Sequence, residues 1–382
     1  MLGAPLLPSR RYRLRGDPQR ALSIAELRAM ALHRLPALAA EYLEGGAEDE
    51  IALAANRQAF DRLRFRPRLA EGDAPAGECR FPYIIAPTGL NGLYWHGADI
   101  ALARAAAKAG VPFTQSTVSN VLLEDVAKVP GLEHWFQLYI FSEMALVERL
   151  LGRVAAAGVR TLVVTIDANT FGNREWNARL YAAEGQATLA ARMDALRHPR
   201  WMAQVFRKGL PGFPNIAEWL GAGSADLLEA SRWLRQNIAP TVSWRELEHV
   251  RALWHGRMLI KGIGHPADAR RAADMGADGV VLGNHGGRQL DGAAPGLELL
   301  QATRAELRAD VQVLVEGGVR RGADILKASL LGADGVMGGR ATLYGVAAGG
   351  EAGATRALAI LEQEYRRARI LLGDGDMTCE KI

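Results

Sequence analysis

Cysteine is nearly absent: Cys79 and Cys379 are the only two among 382 residues. They lie far apart and show no metal-ligand spacing. A disulfide scaffold and a zinc module are thereby excluded, and a reduced, cytoplasmic protein is the expectation. No apolar stretch approaches the roughly 18 residues that a membrane-spanning helix needs. None stands beside the early basic cluster Ser9-Arg10-Arg11-Tyr12-Arg13-Leu14-Arg15, so no secretion signal is expected. Charge of one sign is lacking too. The formal net charge is +4 with Lys and Arg spread along the chain, so nucleic acid is not an expected partner, and the basic cluster reads as a solvated terminus.

Apolar residues are plentiful, at 49% against 23% charged, enough to bury a large core. The length fits two or three average domains or one α/β barrel with additions.

The first 80 residues read as a helical extension. Ser23-Ile-Ala-Glu26 has the pattern of a reciprocal capping box. Pro36 suits the first turn of a second helix that stops at Gly45-Gly46, and 47–65 restarts a helical pattern. From Phe81 the chain alternates. Apolar, β-branched runs at 83–86, 111–114, 134–140, 161–167, 258–263, 279–284, 311–316 and 335–339 are separated mostly by helix-like stretches, such as 99–110, 266–276 and 321–332. Eight strand–helix units predict a (β/α)8 TIM barrel over 81–373, with functional residues at the C-terminal strand ends. Gly276-Ala-Asp-Gly279 and Gly332-Ala-Asp-Gly335 echo one another, each a helix stop followed at once by a strand. Residues 374–382 form a tail. An insertion at about 176–243 is too long for an ordinary connection. It carries Trp201, Phe206, Phe213, Trp219 and Trp233 among Arg and Lys. Three readings fit it equally: a lid, an interfacial membrane patch, or packing against the barrel.

Residues 279–291 read GVVLGNHGGRQLD. An apolar strand there ends in an imidazole suited to proton transfer and a guanidinium suited to gripping a carboxylate, with two glycines between them. Alone, His-Gly-Gly-Arg could be a loop satisfying its own backbone. Every other run, however, also ends in polar or small residues. In chain order these are Pro87-Thr88-Gly89, Ser116, Gln137 with Tyr139, Thr165 with Asp167, Lys261, Glu316-Gly317-Gly318 leading to Arg320, and Gly339-Arg340. Filling a barrel core requires none of these. The last two sets look like an anion site, with glycines presenting N–H groups and Arg320 and Arg340 supplying charge.

Five motifs make the resemblance specific: Glu41-Tyr42-Leu-Glu-Gly-Gly-Ala-Glu-Asp49, Phe136-Gln-Leu-Tyr139, Thr165-Ile-Asp167, Ile260-Lys261-Gly262 and Asn284-His-Gly-Gly-Arg-Gln-Leu-Asp291. From about Ser23 to Gly373 the chain resembles the FMN-dependent α-hydroxy-acid dehydrogenase/oxidase family. Its Pro87–Gly92 and Ser116–Asn120 segments are most like the mandelate dehydrogenase members. The 198–216 segment resembles membrane-associated lactate dehydrogenases. The resemblance implies FMN, with Pro87, Thr88, Gly89, Ser116, Gln137 and Thr165 lining the flavin and Lys261 at its N1/C2=O edge. Glu316, Gly317, Gly318, Arg320, Gly339 and Arg340 would serve the ribityl-phosphate end. His285 would be the base, oriented by Asp167. Arg174 and Arg288 would hold the substrate carboxylate, and Tyr42 and Tyr139 would bond the carboxylate and the reacting oxygen.

The implied activity is oxidation of an L-2-hydroxy acid to the 2-oxo acid. Val118, small where glycolate oxidase has Trp, favours mandelate-like acids with lactate next. A quinone-type acceptor is expected at a peripheral site on the inner membrane face, the alternative being an O2-using oxidase. A homotetramer is implied by the same resemblance. Three positions depart from the family pattern: Glu316 where Asp is usual, Gly283 where Ser commonly stands, and Gly338 in place of a larger apolar residue.

Overall fold

A computed structural model describes residues 11–68, 80–181, 186–206, 209, 211–220 and 227–373. Both cysteines, Ser9-Arg10, Arg207 and the 374–382 tail lie outside the described residues.

Three helices come first, α1 (Ile24–Arg34), α2 (Ala37–Glu44) and α3 (Ile51–Asp61). Eight strands follow: β1 (Tyr83–Ile85), β2 (Phe113–Ser116), β3 (His134–Tyr139), β4 (Thr161–Thr165), β5 (Arg257–Ile263), β6 (Gly279–Leu282), β7 (Gln312–Glu316) and β8 (Gly335–Gly338). All pair in parallel in chain order, and β8 returns to β1 to close the barrel. The expected (β/α)8 barrel is therefore the observed one. Its lumen is filled by Ile84, Ala86, Trp135, Val163, Leu259, Val281, Leu314 and Met337, a packed core rather than a pore.

Helices α4 (Ala98–Ala109), α5 (Leu123–Ala127) and α6 (Met144–Ala156) cover the first strands, and α11 (Trp244–Leu253), α12 (Pro266–Asp274), α13 (Gly296–Glu306) and α14 (Gly322–Leu330) the later ones. Helix α15 (Arg340–Leu372) bends where Gly349 and Gly350 leave helical geometry. The repeated Gly-Ala-Asp-Gly has a structural reason. Gly276 and Gly332 take left-handed φ values. Asp278 and Asp334 then accept hydrogen bonds from Met258 N at 2.8 Å and Val313 N at 2.7 Å, tying each strand start to its neighbour.

Three details of the helical extension differ from expectation. Ser23 does cap α1, but the Glu26 carboxylate accepts from Leu22 N and Arg13 Nε instead of closing the box on Ser23 N. Pro36 sits at the cap of α2, one residue before its first turn. Helix α3 begins only at Ile51. Glu48 and Glu50 adopt left-handed backbone, forming a turn whose Ala47 N and Glu48 N bond Gly287 O and Asn173 O over the barrel mouth.

The insertion is helical: α7 (Glu175–Ala178), α8 (Leu189–Leu196), α9 (Pro199–Phe206) and α10 (Leu227–Asn237). Its tryptophans mostly pack. Trp201 is fully buried and donates to Leu93 O, while Trp219 and Trp233 stack together against Phe141. These three are not surface anchors.

Candidate active site

The C-terminal mouth of the barrel opens into a cavity of about 710 Å³, within the range of small-molecule sites. Its wall brings together residues from α2, from the ends of the eight strands or the loops that follow them, and from the insertion. Tyr42, Pro87, Thr88, Gly89, Tyr139, Arg174, Lys261, His285 and Arg288 line it. So do Glu316, Gly317, Gly318, Arg320, Gly339 and Arg340. Ser116, Gln137, Thr165 and Asp167 do not reach the wall. Phe213, Leu234 and Ile238 of the insertion roof the cavity beside Val118, which makes that segment part of the site.

His285 follows β6 with a φ of +56°, an uncommon conformation for a residue with a Cβ. Its Nδ1 meets Asp167 Oδ1 at 2.9 Å, so Nε2 is left for a ligand. Burial pushes the Asp167 carboxyl up, but Lys261 and His285 pull harder and hold it below its usual range. Gly262 makes this possible. It sits at a bulge in β5 with a φ of +95°, where a Cβ would overlap Asp167.

Two guanidiniums face the cavity close to one another. Arg288 is held by Tyr42 O and Gly45 O and lies over the Tyr42 ring. Arg174 bonds weakly to Arg288 O and Gln289 Oε1, at 3.3 and 3.4 Å. Burial and the Arg288 charge bring the Arg174 pKa down to about 10. Two half-buried like charges with spare donors make a carboxylate site. Burial also pushes the Tyr139 hydroxyl up to about 12, so it remains a donor at neutral pH. Lys261 is buried and donates to Glu316 Oε1 at 2.6 Å.

FMN fits these residues. The Thr88 Oγ1 on the wall, with Gln137 Nε2 and Thr165 Oγ1 at neighbouring strand ends, are buried without hydrogen-bond partners. Ser116 Oγ donates to Gln137 Oε1 at 2.9 Å, which fixes that amide with its NH2 unspent. The loop after β7 turns on Gly317 and Gly318 with φ of +90° and +78°. Asp324 accepts from both Arg320 N and Arg321 N, and Arg57 clamps Asp324 in turn. Arg340 differs from the expectation of a phosphate ligand through its side chain. Its fork bonds four backbone carbonyls, of Leu43, Glu44, Gly45 and Gly286, so it clamps α2 to the β6 loop.

Sequence reasoning missed several positioning residues. Gln289 Nε2 bonds Asp167 O and Thr170 O while its Oε1 accepts from Gly172 N, fastening the β4 loop to the β6 loop. Arg57 pairs with Asp61 at i,i+4 and also reaches across the fold to Asp324. Asp99, fully buried, accepts from Asn91 Nδ2 and Asn120 N and joins the β1 and β2 loops. Only Gln289, inside the quoted run, carried a local signal. Among the described residues no cluster of His, Cys, Asp and Glu could hold a metal.

Comparison with known proteins agrees with this geometry. The model of the FMN-dependent dehydrogenase family matches residues 31–378. An L-lactate dehydrogenase of Pectobacterium atrosepticum is 38% identical over 369 residues, covering 94% of this chain and 95% of its own length. An L-lactate dehydrogenase of Xanthomonas campestris pv. campestris is 39% identical over 358 residues, covering 91% and 92%. The structure of a monotopic membrane protein, (S)-mandelate dehydrogenase, superposes with a TM-score of 0.88 at 35% identity, over 95% of this chain and all of that one. A mandelate oxidase structure has a TM-score of 0.77 at 34% identity, over 92% and 95%. The barrel, the cradle at its mouth and these matches lead to one conclusion: the chain belongs to the FMN-dependent dehydrogenase family.

Proposed function

We propose that this protein oxidises L-2-hydroxy acids with a bulky apolar side chain, mandelate-like acids foremost, to the 2-oxo acids. The electrons pass to a quinone while the protein is docked on the inner membrane face. The observation that carries the chemistry is the facing of His285–Asp167 and the Arg174/Arg288 pair across one cavity. The guanidiniums take the carboxylate and so orient the C2 carbon. Tyr139, kept protonated, hydrogen-bonds the reacting oxygen, and Tyr42 the carboxylate. His285 Nε2 takes a proton, and the charged Asp167 stabilises the resulting imidazolium. Bound FMN supplies the two-electron acceptor. It would be held by Pro87, Thr88, Gly89, Ser116, Gln137 and Thr165, by Lys261, and by the Glu316–Arg320 and Gly339–Arg340 loops. Phe213, Leu234 and Ile238 exclude water from the side-chain end.

Val118 on the cavity wall leaves room for a ring, whose burial is worth about 2–3 kcal/mol. Lactate is the second reading, favoured by the relatives at 38–39% identity. A kcat/KM ranking of glycolate, lactate, 2-hydroxyoctanoate and mandelate decides. We expect mandelate first, and a preference for glycolate overturns the pocket assignment. The chemistry has its own test. His285→Gln is expected to retain the flavin spectrum yet slow anaerobic bleaching by substrate about 10³-fold. Bleaching at the normal rate would remove His285 from the base role.

Membrane docking rests on α8. Leu189, Met193 and Leu196, at i, i+4 and i+7, are exposed on one face, with Arg192, Arg197 and Arg200 exposed nearby. Phe171 and Trp176 are exposed by the cavity residues of the β4 loop. No helix among the described residues is long and apolar enough to span a bilayer.

A further inference from the structure

Two of the three departures from the family pattern meet at one point. Gly283 has no side chain, and a Cβ there would overlap Glu316 Cγ and come within 2.8 Å of its Oε1. The longer acid therefore occupies the notch that the glycine leaves. From it the carboxylate reaches Lys261 Nζ at 2.6 Å, with both side chains almost wholly buried. Lys261 lines the same cavity, and the charges around it are Asp167 and Glu316, with Tyr139 adjacent. One buried ammonium is thus shared by two carboxylates.

We propose that Glu316 is a tuning residue: seated in the Gly283 notch, it holds the Lys261 ammonium and offsets its charge, lowering the site's preference for negative charge on the bound flavin. The proposal rests on the FMN reading above. Its physical basis is that a charge removed from solvent and paired at contact distance presents a weaker field to a third group. Burial alone pulls the Lys261 pKa down. The two acids outweigh it and keep the lysine protonated, so what Glu316 regulates is the net field rather than the presence of the cation. Gly283 and Glu316 then act as one unit. A side chain at 283 pushes the carboxylate off the lysine, and a shorter acid at 316 fails to fill the notch.

The test uses the FMN-loaded protein and sulfite, an anion whose addition to an oxidised flavin leaves negative charge on the ring. Glu316→Gln preserves size and the acceptor for Lys261 Nζ while removing the charge. We expect sulfite to bind at least about tenfold more tightly than to wild type, and the flavin midpoint potential to rise in parallel. Gly283→Ala, which displaces the carboxylate instead of neutralising it, should shift both quantities in the same direction. A Glu316→Gln protein with full flavin occupancy, an unchanged sulfite constant and an unchanged potential overturns the proposal. So does a Glu316→Gln protein that folds but no longer retains FMN, because the Glu316 charge then serves to keep the cofactor bound rather than to offset Lys261. A colourless wild type that cannot be reconstituted would instead overturn the functional reading beneath it.

Discussion

His134 shows what a half-buried imidazole does with no carboxylate beside it. Gln115 Nε2 donates to Ser119 Oγ and Val121 O, so its Oε1 must accept from His134 Nε2, at 3.0 Å. Nδ1 is then bare and buried. Burial brings the His134 pKa down to about 4. The folded protein therefore binds this proton less readily than the unfolded chain does. Stability is intact above about pH 6.5 and falls as the pH drops from there towards 4, by about 2–3 kcal/mol from this group. Urea unfolding of wild type and His134→Gln at pH 7 and 4.5 should show a smaller acid loss in the variant. Equal losses would mean that His134 is not buried as a neutral ring. The strand-end residues that reach the cavity wall were legible in the sequence because strand ends in a barrel all face one mouth, whereas Tyr42 on α2 and Arg174 before α7 came only through the family resemblance. What holds them was not. Asp99, Gln289 and Arg57 act on partners brought close only by folding, and no local pattern separates them from solvated polar residues. Gly338 is similar. Its missing side chain is explained by the Tyr83 hydroxyl, which occupies that space from another strand.

At the scale of elements, all eight strands were readable as apolar, β-branched runs, since a parallel strand in a closed barrel is buried on both faces. Boundaries shifted where tertiary contacts set them, as at α3, whose late start follows from the turn seated on Gly287. Helix α2 shows the most consequential such contact. Its first free N–H, from Ala37, is bonded by Asp194 Oδ2 of α8 at 2.7 Å. Its last carbonyls hold Arg288 and Arg340. The insertion therefore stiffens the helix that carries Tyr42. Asp194→Ala should cost about 1 kcal/mol of stability, as loss of a cap does. KM should rise several-fold with kcat little changed. A KM equal to wild type, with the stability loss present, would separate the cap from the substrate site.

At the scale of the whole molecule, the closed barrel fixes the chemistry, while the added α7–α10 segment roofs the cavity and presents the α8 apolar face. A triple change of Leu189, Met193 and Leu196 to Ser should shift the protein from vesicle-bound to free in a flotation assay with anionic liposomes. Reoxidation of the reduced flavin by a soluble quinone should be left within about twofold of wild type, because these side chains lie outside the cavity wall. If the native protein stays in the unbound fraction and air reoxidises it faster than quinone does, it is an oxidase, and the insertion is a roof alone.

The two adjacent guanidiniums also set how selectivity is divided along the substrate. An extra or missing methylene against the apolar roof changes discrimination by only about 1–3 kcal/mol. A ligand without a carboxylate, such as a hydroxy amide or a simple alcohol, would bury Arg174 and Arg288 against each other with no counter-ion, a far steeper penalty. The enzyme should therefore be exacting about the head group and permissive about the tail. New members of its substrate range are to be sought among acids with altered side chains, and neutral analogues can serve only as poor competitors.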